Sequence, residues 1–98
     1  MEARKETFKQ AVAKWGIEAQ ILMAVEEIGE LLQAINKVYR SEDKELSIVL
    51  LSEEIADVEI MLDQIKTIFG CWERSENDYK RKLERLRNLL KESNHEQE

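Results

Sequence analysis

The sequence contains no proline, one cysteine, one histidine and three glycines, and each shortage removes a class of protein. A lone Cys71 cannot build an intramolecular disulfide framework, and it fits a reducing cytoplasm. The one histidine, His95, falls close to the C-terminal end, where chains fray, so histidine-dependent chemistry is not expected. No signal-peptide pattern is present, and no apolar run approaches the ~18 residues of a membrane helix. The expectation is a soluble, unanchored, cytoplasmic protein. A formal net charge of −6 argues against a nucleic-acid polymer as partner.

What is there is charge and helical period. Charged residues make up 37% of the 98 positions, and long stretches repeat at 3.6-residue spacing, which predicts an all-α protein of one small domain. A first helix runs from Met1 to about Lys14, with Phe8, Val12 and Trp15 on one side and Gly16 as its stop. A second runs from Ile17 to Val38 or Arg40. Residues 40 to 47 form a polar break, with Ser41 and Ser47 as candidate N-caps. A third helix reaches Phe69, where Gly70 ends it. The chain turns over Cys71 to Glu76, with Ser75 and Asp78 as a capping box, and a fourth helix covers about Glu76 to Glu92. The domain is thus 1–92, with 93–98 as a frayed tail.

Two acidic stretches break the apolar pattern: Glu26-Glu27-Ile28-Gly29-Glu30 and Glu53-Glu54-Ile55-Ala56-Asp57. On the second helix the apolar stripe takes in Ile17, Ile21, Val25, Ile28 and Leu32, and Glu27 falls among Met23, Ala34 and Val38, which extend it to one side. On the third, Glu54 lands inside the arc of Ile48, Leu51, Val58, Met61 and Ile65, while Glu30 and Asp57 stand at the stripe edges. An unpaired buried carboxylate costs several kcal/mol or takes up a proton. Few basic residues share those faces, so a divalent cation is the simplest compensation. Four carboxylates without histidine or cysteine make a hard oxygen site, suited to Mg²⁺ or Mn²⁺ rather than Zn²⁺. Mg²⁺ is commonly bound together with substrate phosphates, which points to metal-assisted phosphoryl chemistry.

Other residues bear on the same surface. Gln20 lies about 20° from Glu27 around the helix and could meet a base or sugar edge. Trp15 is a packing residue or a stacking wall for a nucleobase. Lys37 lies about 20° from Glu30, two turns on, and is the first candidate for triphosphate charge. Gly29 either admits a close neighbour or is simply tolerated. The last helix repeats Tyr79, Leu83, Leu86 and Leu90, a narrow seam that needs a partner surface. Residues 79–91 carry six cations against Glu84, a net charge of +5.

The pattern Glu26, Glu27, Glu30, then Glu54 and Asp57, resembles the MazG-like, all-α nucleoside triphosphate pyrophosphohydrolases. Lys14-Trp15-Gly16, the run from Glu54 to Leu62, and Lys82-Leu83-x-Arg85-Leu86 look like the small phage and prophage-type members. The resemblance covers about residues 8 to 90. It implies a four-helix-bundle-like fold completed by oligomerisation, as a homodimer or homotetramer. It also implies cleavage of the α–β phosphoanhydride of a nucleoside triphosphate, giving a monophosphate and pyrophosphate. By this similarity Glu27, Glu30, Glu54 and Asp57 hold Mg²⁺, and Glu26 or Glu53 supports them or orients water.

Two readings from other classes stand beside it. One is a catalytically inactive relative that binds a nucleotide as a sensor; the other is a helical adaptor whose acids are solvated. No residue singles out a base or sugar.

Overall fold

The computed structural model describes residues 2–97, with side chains to Ser93, and is helical almost throughout. Helices α1 (Glu2–Trp15), α2 (Ile17–Arg40), α3 (Lys44–Phe69) and α4 (Trp72–Gln97) follow one another with minimal connections. The all-α expectation holds, and α4 continues past Glu92 as helix. The side chain of His95 lies outside the described residues.

Glycine makes two of the three joints. Gly16 has φ +89°, a conformation that L side chains rarely adopt, and its N–H donates to the Val12 carbonyl at 2.8 Å. The chain therefore leaves α1 and enters α2 within one residue. Gly70 is left-handed at φ 62°, ψ 35°, and Cys71 N–H donates back to the Lys66 carbonyl at 3.0 Å, closing the last turn of α3.

The α2–α3 joint differs from expectation. Asp43, not a serine, caps α3: its carboxylate accepts from Leu46 N–H at 3.1 Å. Ser47 sits inside α3 and is buried, its hydroxyl donating to the Lys44 carbonyl at 3.0 Å. Ser41 braces the turn by exchanging hydrogen bonds with the Asp43 backbone. Lys44 donates to the Val38 and Tyr39 carbonyls, satisfying the open end of α2. The expected capping box at Ser75 and Asp78 is also absent, because α4 already starts at Trp72 and Ser75 lies within it. Trp72 fixes that earlier start. Its ring stacks on Phe8 at 6.3 Å, its Nε1–H donates to Thr67 Oγ1 at 3.0 Å, and Lys5 and Lys66 lie over its faces.

α2 and α3 pair as an antiparallel hairpin and bury one seam between them. On α2 the inward residues are Gln20, Ala24, Glu27, Leu31, Ala34 and Val38. On α3 they are Ser47, Leu51, Glu54, Val58, Met61 and Ile65. Both sets alternate steps of three and four, the spacing of two helices crossing at a shallow angle. Half of these inward residues are small or polar, so the hairpin is close but not strongly apolar. The broad arcs read from the sequence thus divide. One strip turns inward, and the next strip round, Ile21, Val25, Ile28, Leu32, Ile35 and Tyr39, stays largely open to water.

That openness extends over the chain. The accessible surface is 8161 Å², against roughly 5,800 Å² for a compact monomer of this mass. The radius of gyration is 17.5 Å, against about 12.6 Å for a compact domain of this length. Apart from Trp72 at its start, which meets Phe8 and Lys5 of α1, α4 comes close only to α3, and it does not lie along it as α2 does.

Candidate functional site

The two acidic stretches meet at the middle of the hairpin. Glu27 and Glu54 occupy inward seam positions, and Glu30 stands one residue round from the seam on the same flank. One carboxylate oxygen from each of Glu27, Glu30 and Glu54 lies within 4.8 Å of the other two. Oε2 of Glu27 and Oε2 of Glu54 are shut off from solvent with no hydrogen-bond partner. No ion pair among the described residues involves these three acids or Asp57.

The electrostatic consequence is direct. Loss of hydration raises the Glu27 carboxyl above its ordinary value, and the charges of Glu30, Asp57 and Glu54 push it further up. Desolvation likewise raises Glu54, followed by the charges of Glu30 and Asp57. Asp57 stands outside the tight group of three and is exposed, yet its charge acts on both seam acids. Glu26 is exposed on the outer side of α2.

An open groove of about 710 Å³ runs from this cluster towards the α2–α3 turn. Glu30, Glu53 and Glu54 line one end, and Lys37 and Arg40 line the other, with Ala34, Leu46 and Leu50 between them. Acidic and basic poles therefore share a single concave surface. The donor set suits a hard divalent cation: carboxylate oxygens only, two of them buried without partners, and no neighbouring base to neutralise them.

The remaining candidates sort by position. Lys37 joins the acids in the groove. Gln20 is 2% exposed and lies within the helix seam two turns before Glu27, so it offers no open face to a ligand. Trp15 is 58% exposed at the α1–α2 corner, with Lys14 Nζ 5.2 Å from its ring centre; it is not a core residue. Gly29 admits no close neighbour, since an added Cβ would meet nothing within 4 Å. Sequence reasoning passed over Gln64, which is buried with Oε1 unpartnered. Its signal was available: it follows Asp57 by seven residues, on the same flank of α3. The chain matches no protein-family model, no curated protein and no solved structure.

Proposed function

We propose that this chain is a Mg²⁺-dependent nucleoside triphosphate pyrophosphohydrolase of the MazG-like kind. The observation that carries the reading is the trio Glu27, Glu30 and Glu54, converging within 4.8 Å around unpartnered buried carboxylate oxygens. The spacing of the two acid motifs, which resembles that family, supports it from the sequence side.

In this reading Glu27, Glu30, Glu54 and Asp57 hold the cation. A divalent ion there supplies charge to neutralise phosphate oxygens and acidifies a water. Water adds across the α–β anhydride, the bridging P–O bond breaks, and nucleoside monophosphate and pyrophosphate leave. Glu53, which lines the groove, would accept the proton from the attacking water, and Glu26 would support the cluster from the outer side. Lys37 and Arg40, at the far end of the groove, bind the triphosphate oxygens away from the cation.

Self-association belongs to the same proposal. The outer strip of α2, with Ile48, Ile55, Leu62 and Phe69 beside it on α3, forms an apolar face that is mostly exposed in one copy. The chain exposes over 2,000 Å² more than a compact monomer, by the scaling above. A standard stable interface buries about 1,600 Å² in total. Two hairpins packed through this face make a four-helix bundle.

The test is pyrophosphate release from a panel of ribo- and deoxynucleoside triphosphates, with Mg²⁺ and with EDTA. Metal-dependent release that falls at least about 100-fold in Glu54→Gln is the expected result, the scale for losing one charged group from a preorganised site. Nucleotide binding without release would select a sensor. Neither binding nor release by the folded protein would favour a helical adaptor.

A further inference from the structure

A second concave surface lies beside the acidic cluster. It is a cavity of about 360 Å³ between α1 and α3. Phe8, Ala56 and Ile60 give it an apolar lining, to which Arg4 on α1 and Glu59 on α3 add charge. Phe8 is 6% exposed, and its ring stacks on Trp72, which holds it in place. Asp63, also in the lining, is engaged by Lys66 at 3.4 Å. Arg4 and Glu59 make no ion pair among the described residues. One free cation and one free carboxylate therefore share the cavity, each carried by a different helix.

Position ties this cavity to the acids. Ala56 precedes Asp57 in the chain, and Ile60 follows it within one turn, about 60° round α3. The groove that ends at Lys37 and Arg40 opens from the same acids in the other direction, towards the α2–α3 turn. On α3 the groove takes its lining from Leu46 to Glu54 and the cavity from Ala56 to Asp63. The acids thus stand between two unlike recesses, one long and cationic at its end, the other small and largely apolar. The cavity lies at the lower end of the roughly 300–1,000 Å³ of ligand clefts, a size for a nucleoside rather than for a nucleotide with its phosphate chain.

We propose that the α1–α3 cavity seats the nucleoside of the substrate, and that Glu59 and Arg4 select guanine. Under the pyrophosphohydrolase reading, on which this rests, the leaving phosphates run from the cation towards Lys37, so the nucleoside leaves the cation on the other side. Phe8 and Ile60 cover the ring face. Glu59 offers two carboxylate oxygens, and among the common bases guanine alone puts two neighbouring nitrogen donors, N1–H and the 2-amino group, on one edge. Its O6 stands beside them as the acceptor for Arg4. Adenine and cytosine set a ring-nitrogen lone pair against that carboxylate, and uracil sets a carbonyl oxygen there.

The experiment follows the methyl signals of the full, isotope-labelled chain as guanosine, adenosine, cytidine and uridine monophosphates are added, first in EDTA and then with Mg²⁺. Guanosine monophosphate is expected to shift the methyls of Thr7, Ala56 and Ile60, to leave those of Leu46 and Leu50 in place, and to bind at least about tenfold tighter than the other three. Glu59→Gln and Arg4→Ala, both at exposed positions, should keep the helical circular dichroism and abolish that preference. In the triphosphate panel, Glu59→Gln should lower kcat/KM for guanine nucleotides about tenfold more than for the other bases. Binding needs no turnover, so guanosine monophosphate seated in the cavity of a protein that releases no pyrophosphate would sink the reaction and leave the pocket standing. Shifts at Leu46 and Leu50 instead, no shift with any nucleotide in either condition, or a base preference that survives in Glu59→Gln would overturn the pocket.

Discussion

Glu27 of α2 and Glu54 of α3 face each other inside the hairpin, each with one carboxylate oxygen buried and unpartnered. Across most of the seam this level would hold small or apolar side chains, as Ala24, Ala34 and Val58 do. The two acids therefore weaken the fold at this level. Under the proposed function, the same two carboxylates would link stability to cation binding.

That linkage fixes the direction of the pH response. Both carboxyls are raised above the ordinary 4.5, so the folded chain holds their protons more tightly than the unfolded chain does. The stabilisation is complete below 4.5 and is lost as pH rises through the raised folded values. With EDTA present, the melting temperature should be higher just above pH 4.5 than at neutral pH, and Glu54→Gln should flatten that difference. At neutral pH Glu54→Gln should melt above the native chain without metal and lose most of the Mg²⁺-induced rise. Thermal melts of both proteins, with and without Mg²⁺, check this; a variant less stable than the native chain without metal would contradict it.

Much of this arrangement is legible in the sequence, and the misses have physical causes. Period alone placed four helices and put Glu27 and Glu54 among apolar neighbours. Apolar period cannot tell an inward strip from one awaiting a partner, because both need nonpolar residues. That is why Ile28 and Leu32 read as core although the chain leaves them exposed. Gln20, read as meeting a base or sugar edge, is buried in the α2–α3 seam instead, because helical period places it on Glu27's face without showing that α3 covers that face there. Ser75 with Asp78 matches a capping box, yet Trp72 and its tertiary contacts begin the helix earlier. Asp43 was read only as part of a polar break, where its cap depends on a turn tightened by Ser41 and Lys44.

The two tryptophans should separate sharply on substitution. Trp72 joins three helices, stacking on Phe8 of α1, bonding Thr67 of α3 and opening α4. Trp72→Ala should cost about 2–3 kcal/mol, below the ~3–5 of a fully buried aromatic because the ring is only half-buried. Trp15, mostly exposed, should cost under ~1 kcal/mol on the same change. Urea unfolding of the two variants measures the gap. Equal losses would mean that Trp15 is covered in solution, as a second copy or a ligand would cover it.

Association through the outer hairpin face is tested at Ile28 and Ile55, which are 36% and 42% exposed in one copy. A lysine at either position remains solvated in a monomer, and neither side chain fills the α2–α3 seam, so the helical fold should survive. In a four-helix bundle formed by two hairpins, the same lysine would be buried opposite apolar side chains without a carboxylate partner. Each of Ile28→Lys and Ile55→Lys should therefore weaken association at least tenfold, equivalent to about 1.4 kcal/mol. The pair together should leave a helical monomer at micromolar concentration. Sedimentation equilibrium with far-ultraviolet circular dichroism distinguishes the cases. Unchanged mass in both variants would show that this face is not where copies meet.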